Sequence, residues 1–248
     1  MSMKLQNKVA IVTGGSRGIG AAIASEFASQ GAKIVVNYIN SQEKADAVVA
    51  NIIEQGGLAV AVQADVSQLS GIDRLVNQAC EAFGGVDILV NNAGWATLER
   101  LQDITFDDTK KQFELNVFGP IFLTQKISAI MPSGSVIINI SSIAAKGGAG
   151  GSVYSATKAA INTLTKCYAS ELGEKGIRVN AIAPGVVETD LYIEAGLFKR
   201  EDEIIGQTPL KRLGQPHDIS SLALFLACEE SSWITGEVIQ ISGGRFMS

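Results

Sequence analysis

Seven short apolar runs alternate with longer amphipathic stretches along this chain. The runs are "VAIVT" (9–13), "KIVVNY" (33–38), "LAVAVQAD" (58–65), "VDILVNNAG" (86–94), "GSVIINISS" (134–142), "IRVNAIAPG" (177–185) and "GEVIQISGG" (236–244). Most are apolar at nearly every position instead of every second one, which is typical of strands buried on both faces. Strands of this kind, separated by helices, predict one parallel sheet with helices on both faces.

The segments between the runs carry helical patterns that end at glycines or polar residues. The predicted helices end at Gly31, near Gln55, near Gly84 and near Met131, and two more begin at about Ser152 and cover 216–228. The stretch from 186 to 214 shows no regular pattern, and a loop of that length is typical of a lid or a binding loop. With no linker or repeat visible, residues 1–248 are predicted to form a single α/β domain with a doubly wound, seven-stranded parallel sheet and a substrate loop at about 186–214.

The composition excludes several classes of protein. The 248 residues are 46% hydrophobic and 18% charged, enough apolar surface for one sizeable core. A net charge of −5 without any Lys/Arg block argues against nucleic-acid binding. The single histidine, His217, cannot supply a histidine metal cluster or a Ser-His-Asp triad, so no metal is predicted. Three scattered cysteines, no signal-peptide pattern and no membrane-spanning apolar stretch favour a soluble, cytoplasmic protein.

The segment "VTGGSRGIG" (12–20) joins the first predicted strand to the first predicted helix. Glycines at 14, 18 and 20 permit a tight turn, close approach of the backbone to a phosphate, and close packing of helix on strand. The helix N-terminus presents unpaired N–H groups to a pyrophosphate. In this position, after a buried strand, the glycine pattern predicts a dinucleotide site.

Arg17 and the second strand indicate which dinucleotide binds. An NAD site places Asp or Glu roughly 20 residues after the glycine loop, to hold the ribose hydroxyls. This chain has no acid between Phe27 and Gln42, and Tyr38 stands where that acid is expected. The missing acid and the guanidinium of Arg17 both suit a 2′-phosphate, so NADP(H) is the predicted cofactor.

Tyr154 and Lys158 lie four residues apart in "VYSATKAA", on one face of a predicted helix. An ammonium beside a phenol favours the phenolate, and such a tyrosine can exchange a proton with a carbonyl or hydroxyl oxygen. Ser141 and Ser142 end the preceding predicted strand at the same sheet edge, where a serine hydroxyl can orient a substrate oxygen.

These segments together resemble the short-chain dehydrogenase/reductase family over nearly the whole chain. The matching segments are "TGGSRGIG" (13–20), "DV" (65–66), "NNAG" (91–94), the asparagine of "FELNVFG" (113–119), "INISS" (138–142), "YSATK" (154–158), "PG" with a following threonine (184–189) and "ISGG" (241–244). The resemblance implies a Rossmann-type fold and an oxidoreductase that uses a nicotinamide cofactor.

The resemblance also implies a role for each matching residue. Tyr154 is expected to be the general acid/base, Lys158 to lower its pKa and bind the nicotinamide ribose, Ser142 to hold the substrate carbonyl, and Asn116 to fix a water in a proton relay. The expected cofactor-binding residues are Gly14, Ser16, Arg17, Gly18, Ile19, Gly20, Asn37, Tyr38, Asp65, Val66, Asn92, Ala93, Gly94, Tyr154, Lys158, Pro184, Gly185, Val187 and Thr189.

The spacing of the serine departs from the family pattern. Many relatives have the catalytic serine thirteen residues before the tyrosine, whereas Ser142 lies twelve and Ser141 thirteen residues before Tyr154. The pattern of "INISS" favours Ser142, with one residue deleted in "AAKGGAGGS" (144–152).

The preferred function is an NADPH-dependent reductase of ketones or aldehydes. The alternatives are an NAD-linked sugar or alcohol dehydrogenase, a 3-oxoacyl-carrier-protein reductase, which is the group closest in overall look, and a catalytically silent nucleotide-binding sensor. The intact Ser-Tyr-Lys set argues against a sensor.

Substrate and assembly follow from two further segments. "SAIMPSGSVI" (128–137) has no basic residue that could dock an acidic carrier protein, which favours a free, partly apolar carbonyl compound. Leu191, Tyr192, Leu197 and Phe198 in the substrate loop could cover such a substrate. The helix at 155–172 is apolar on more than one face, which predicts a partner subunit, and the resemblance points to a homotetramer.

Overall fold

A computed structural model of the protein describes residues 3–147 and 151–246. The strands are β1 (Val9–Val12), β2 (Lys33–Tyr38), β3 (Leu58–Gln63), β4 (Ile88–Asn91), β5 (Val136–Ile140), β6 (Arg178–Pro184) and β7 (Val238–Ile241). They form one sheet in the order β3-β2-β1-β4-β5-β6-β7, and every neighbouring pair is parallel. The predicted seven-stranded parallel sheet is therefore confirmed.

Helices cover both faces of the sheet. They are α1 (Gly18–Ser29), α2 (Gln42–Glu54), α3 (Leu69–Phe83), α4 (Phe106–Phe113), α5 (Gly119–Ser128), α6 (Ser152–Leu172), α7 (Asp190–Glu194), α8 (Glu201–Gln207) and α9 (Pro216–Ala227). Helices α1, α2 and α9 contribute to one apolar cluster, and α3, α5 and α6 contribute to the other. Alternate strand residues enter the two clusters: Val12 and Val36 face the first, Ile11 and Val35 the second. Burial on both faces explains why the strands read as continuous apolar runs.

The order of the strands brings four loops to one edge of the sheet. The chain runs outward from β1 to β3 and then returns to place β4 on the other side of β1. Because all strands are parallel, the loops after β1, β4, β5 and β6 leave from their carboxyl ends at this switch point, where open α/β sheets bind ligands.

The segment expected to be irregular, 186–214, is helical in large part, so that expectation is wrong. It contains α7, a 3₁₀ turn at Leu197–Arg200, and α8. Thr189 caps α7 by accepting from the backbone N–H of Tyr192, and Tyr192, Ile204 and Leu213 form a small apolar cluster of their own. These helices are too short to show a clear period in the sequence.

One other boundary differs from expectation. The long helical region ending near Met131 is divided into α4 and α5 by a π-helical turn at Glu114–Phe118. Of the loop "AAKGGAGGS", residues 148–150 lie outside the described residues, so the predicted deletion there has no structural description. No helix in the described part of the chain is long and apolar enough to cross a membrane.

Candidate active site

A cavity of about 770 Å³ runs along the carboxyl edge of the sheet, over the switch point. It brings together almost all of the predicted site residues: Gly14, Ser16, Arg17, Gly18, Ile19, Asn37, Tyr38, Asp65, Val66, Asn92, Ala93, Gly94, Ser142, Tyr154, Lys158, Pro184, Gly185, Val187 and Thr189. Gly20 and Asn116 do not line it. The glycine loop lies in the same cavity as the Ser-Tyr-Lys set, so a dinucleotide and a small substrate can share it.

The glycine loop depends on its missing side chains. Gly14 and Gly18 have φ of 60° and 54°, in the left-handed region that favours glycine. A Cβ on Gly20 would lie 2.3 Å from the carbonyl oxygen of Gly14, so Gly20 allows the first turn of α1 to pack directly on the loop. Gly20 therefore shapes the site from behind, and the N-terminus of α1 faces the cavity as predicted for a pyrophosphate site.

Two buried or half-buried asparagines hold this loop in place. Asn37 donates from Nδ2 to the carbonyl of Ala64 at 2.9 Å and accepts from the backbone N–H of Gly14 at 3.4 Å. Asn92 donates from Nδ2 to the carbonyls of Thr13 and Gly14, at 2.8 and 3.1 Å. These bonds tie the glycine loop to β2, to the chain after β3 and to the loop after β4.

Arg17 lies on the cavity wall and forms ion pairs across it. Its Nη1 contacts Asp190 and Glu194 of α7, each at 2.8 Å, and Lys44 contacts the same carboxylate oxygen of Asp190 at 2.7 Å. Lys44 and Arg17 together lower the pKa of Asp190. The guanidinium of Arg17 thus faces the cavity, but in this structure it is paired with the carboxylates of Asp190 and Glu194.

Several residues that line the cavity were not predicted from the sequence. Asn40 and Ser41 line the cavity, and Ser41 precedes α2 as its N-cap, with no side-chain bond to the helix. A serine directly before a helix is a recognisable N-cap signal, which could have placed Ser41 at this edge. Asp65 accepts two bonds from Ser67 through Oδ1, at 2.9 and 2.7 Å, which fixes the following turn.

The two serines after β5 have different surroundings. Ser141 is 2% exposed, and its hydroxyl donates to Asn162 Oδ1 at 2.6 Å and approaches the carbonyl of Lys158 at 3.2 Å. Both serines line the cavity, but only the hydroxyl of Ser142 interacts with the phenol of Tyr154. Because the Ser141 hydroxyl is already bonded within the protein, the geometry favours Ser142 as the serine available to a substrate oxygen.

Tyr154 and Lys158 lie together on α6, but not as a direct phenol–ammonium pair. The Lys158 Nζ donates to the carbonyl of Ile140 at 2.7 Å and lies 5.7 Å from the centre of the Tyr154 ring. Burial raises the pKa of Tyr154 to about 12, opposed by the hydrogen bond with Ser142, and burial lowers the pKa of Lys158 to about 8. The expected lowering of the tyrosine pKa is absent here, because desolvation raises the pKa more than the hydrogen bond with Ser142 lowers it.

Asn116 lies in the π-helical turn and is 1% exposed. Its side chain accepts from the N–H of Trp95 at 2.9 Å, donates to the carbonyl of Trp95 at 2.8 Å, and donates to Thr157 at 3.2 Å. These bonds fix the loop after β4 against α6. The water relay at Asn116 stays a prediction, since this side chain is occupied by protein partners.

Outside the predicted cofactor and catalytic residues, much of the cavity lining is apolar or aromatic. These lining residues include Trp95, Leu98, Val186, Leu191, Tyr192, Leu197 and Phe246. Of the four loop residues expected to cover a substrate, Leu191, Tyr192 and Leu197 line the cavity and Phe198 does not. Tyr192 is 4% exposed, and its hydroxyl donates to Glu201 at 2.5 Å. Two basic side chains, Lys111 and Arg245, belong to the same part of the lining.

Comparisons with known proteins agree with this geometry. The family described as Enoyl-(Acyl carrier protein) reductase matches residues 14–245. An uncharacterized oxidoreductase of Methylorubrum extorquens is 46% identical, and the match covers 97% of this chain and 98% of the relative's length. A probable tetrahydroxynaphthalene reductase of Zymoseptoria tritici is 41% identical over 98% of this chain and 96% of its own. A solved short-chain dehydrogenase of Burkholderia cenocepacia, in complex with NADP, is 38% identical with a TM-score of 0.92 and covers 98% of this chain and 99% of its own.

Proposed function

This chain belongs to the short-chain dehydrogenase/reductase family, and we propose that it is an NADPH-dependent reductase that converts a ketone or aldehyde to an alcohol. The observation that carries the proposal is the placement of Ser142, Tyr154 and Lys158 in one cavity with the glycine loop and Arg17. A carbonyl carbon in front of a nicotinamide and a proton donor beside its oxygen are what this reaction needs.

The cavity fits a dinucleotide. Gly14 and Gly18 leave room for a phosphate at the N-terminus of α1, and a Cβ on Gly18 would lie 3.2 Å from Thr189 across the cleft. Four further lining residues would hold the two ends of the dinucleotide: Asp65 and Val66 the adenine, and Pro184 and Gly185 the nicotinamide. When bound, NADPH supplies the hydride that adds to the carbonyl carbon.

Tyr154 supplies the proton to the carbonyl oxygen. Its pKa of about 12 keeps the phenol protonated at neutral pH, so it is ready to donate. Ser142 holds the substrate oxygen in line with the phenol. As the O–H bond breaks, negative charge appears on the tyrosine oxygen. At a pH below about 8, the pKa of Lys158, its side chain is an ammonium and stabilises that charge in a poorly hydrated site.

The preference for NADPH follows from charge near the adenosine end. Arg17 and Lys44 contribute two positive charges, and no acid occurs between Phe27 and Gln42. A 2′-phosphate must displace Asp190 and Glu194 from Arg17, and a doubly charged phosphate is the stronger acceptor. The NADP complex of the Burkholderia relative supports the same choice. The main alternative is an NAD-linked alcohol or sugar dehydrogenase.

The substrate is proposed to be a free, partly apolar carbonyl compound. The aromatic and aliphatic part of the cavity lining suits an aromatic or aliphatic body, and the name of the Zymoseptoria relative specifies a hydroxylated fused aromatic. A carrier-bound acyl group fits less well, because the segment 128–137 has no basic residue for an acidic carrier.

We also place the reaction in a cytoplasmic homotetramer. Phe118 and Phe122 are 45% and 40% exposed. Phe118 lies on the π-helical turn, which contacts α6, and Phe122 lies on α5, which follows that turn. Exposed phenylalanines suit a second copy of the chain. Sedimentation at micromolar concentration should give a tetramer, and a monomer would contradict this assignment.

A substrate panel tests the function. Purified protein is mixed with aromatic and aliphatic ketones and aldehydes, each with NADPH and with NADH, and cofactor oxidation is followed at 340 nm. We expect oxidation with several carbonyl compounds and a higher kcat/KM with NADPH. No carbonyl-dependent oxidation of either cofactor would contradict the proposal, and a preference for NADH would favour the alternative.

A further inference from the structure

Arg245 is a basic side chain on the cavity wall that has no acidic partner among the described residues. It follows β7, in the sequence "ISGGRFM", and lines the cavity together with Phe246. Within residues 3–147 and 151–246, no carboxylate lies within ion-pairing distance of its guanidinium. Arg17, the other cavity arginine, has two such partners.

Glu203 is the acid whose charge acts on the pKa of Arg245, but Glu203 is already paired with Arg200. Arg200 binds both oxygens of Glu203, at 2.8 and 2.7 Å, and Gln207 donates from Nε2 to Oε1 of Glu203 at 3.1 Å. This bond turns the Gln207 carbonyl oxygen toward Arg245, whose Nη2 donates to it at 2.9 Å. Arg245 is therefore held in position by a neutral group, and the contact for its charge among the described residues is the Phe246 ring, whose centre lies 5.9 Å away.

The guanidinium is also incompletely satisfied. Its Nε is buried without a hydrogen-bond partner among the described residues, and burial lowers the pKa of Arg245. An arginine remains charged in such surroundings. A partly desolvated cation with an unmet donor carries a free-energy cost, which an anionic ligand can recover through charge-assisted hydrogen bonds.

The segment that carries Arg245 is held in place by its own turn and by a contact with the loop after β5. Gly243 and Gly244, with φ of 61° and 85°, turn the chain after β7. The Gln240 amide, in the orientation that satisfies both neighbours, donates to the carbonyl of Phe246 at 2.7 Å and accepts from Lys146 Nζ at 2.7 Å. Lys146 ends the turn that begins at Ser142, so the tail is anchored beside the proposed catalytic serine.

Lys111 is another basic residue that lines the cavity and has no ion pair among the described residues. Its ammonium lies 4.0 Å from the centre of the Trp95 ring, so it already has a partner for its charge. A guanidinium also offers a planar pair of donors that matches a carboxylate, which an ammonium does not.

We propose that Arg245 is a specificity-determining residue that binds a carboxylate of the substrate, so that the preferred substrates are aldehydes or ketones with an aromatic or aliphatic body and a remote carboxylate. The apolar wall contacts the body, Ser142 and Tyr154 contact the carbonyl oxygen, and Arg245 contacts the far end. This inference rests on the proposed reductase function and names its substrate class.

The test compares 4-formylbenzoate with its methyl ester, which carries the same aldehyde without the charge. The readout is the ratio of kcat/KM for the acid over the ester with NADPH, in the wild type and in Arg245→Met. We expect the ratio to fall by at least ~10-fold in the variant, the size of one charge-assisted hydrogen bond, and Arg245→Lys to restore part of it. Because both ratios use the same two aldehydes, their intrinsic reactivities cancel.

Two further variants serve as controls. Lys199→Met removes one positive charge from an exposed residue that does not line the cavity, so it should leave the ratio unchanged. Lys111→Met should lower the ratio less than Arg245→Met does. An unchanged ratio in Arg245→Met, or a larger fall in Lys111→Met, would overturn the assignment.

A binding measurement separates this inference from the proposed function. Calorimetric titration of 4-methylbenzoate, which has no carbonyl to reduce, into the protein saturated with NADP⁺ should give a Kd that is weaker by at least ~10-fold in Arg245→Met. Equal affinity in both proteins would overturn the role of Arg245. If neither aldehyde oxidises NADPH but the acid binds through Arg245, the reductase function fails and the carboxylate site stands.

Discussion

Replacing Lys158 by methionine should reveal how much stability the protein gives up to keep a lysine in its active site. The side chain is 4% exposed, and burial lowers its pKa from 10.5 to about 8. Methionine is similar in length and carries no charge, so the variant removes the cost of burying an ammonium. It also leaves the carbonyl of Ile140, which Lys158 contacts at 2.7 Å, without that donor.

The sign of the pH dependence follows from the two pKa values. Between about 8 and 10.5 the unfolded chain binds more protons at Lys158 than the folded protein, so wild-type stability from this group rises with pH in that window. A shift of this size destabilises the folded state by about 3 kcal/mol at pH 7, where both states are protonated. About 2 kcal/mol of this penalty is removed between pH 7 and pH 9.5.

The assay is urea unfolding of both proteins without cofactor, at pH 7 and pH 9.5. The unfolding free energy of the wild type minus that of the variant should increase by about 2 kcal/mol from pH 7 to pH 9.5, because only the wild type regains stability from Lys158. All other groups are present in both proteins, so their titration cancels. Lys166→Met, which removes an exposed lysine from the same helix, is the control and should give a difference that does not change with pH. A constant difference in Lys158→Met would refute the account of Lys158 as a desolvated ammonium.

Three further substitutions test separate parts of the structure. Arg17→Ala should reduce kcat/KM with NADPH by at least ~10-fold and leave NADH nearly unchanged, because only NADPH carries the 2′-phosphate; equal losses would mean that Arg17 only shapes the loop. Ser142→Ala should lower kcat more than Ser141→Ala, which should mainly lower the melting temperature, since the Ser141 hydroxyl is buried and bonded; the reverse order would show that the serine is misassigned. A Cβ on Gly71 would lie 2.0 Å from a backbone oxygen, whereas a Cβ on Gly85 would meet nothing within 4 Å. Gly71→Ala should therefore lower the free energy of unfolding in urea by ~1–3 kcal/mol or more, and Gly85→Ala should lower it little. Similar losses in the two variants would contradict this packing.

The sequence predicted the sheet well because its strands are buried on both faces, and that burial leaves a continuous apolar run for each strand. The glycine loop was also visible in the sequence, because its tight turn and close helix packing need glycines at fixed positions, and the spacing of Gly14, Gly18 and Gly20 is visible in the chain. In both cases one local physical requirement determines the residues over a short stretch, so reading along the chain is sufficient.

Other features depend on contacts between distant parts of the chain. Arg17 pairs with Asp190, 173 positions away, and Arg245 is positioned by Gln207, 38 positions away. The raised pKa of Tyr154 depends on burial by several loops, which the four-residue spacing to Lys158 does not reveal. These features are set by tertiary packing, so they could be described only once the fold was known.

One isotope-transfer experiment tests the central claim most directly. The protein is incubated with NADPH carrying deuterium at C4 of the nicotinamide and with 4-phenyl-3-buten-2-one, which offers both a carbonyl and a carbon–carbon double bond for reduction. Carbonyl reduction predicts an allylic alcohol with deuterium on the carbon that bears the oxygen and the double bond intact, and Tyr154→Phe should bind NADPH yet form this product at least ~100-fold more slowly. A saturated ketone with deuterium at the β-carbon, or a Tyr154→Phe variant that turns over at the wild-type rate, would contradict the account.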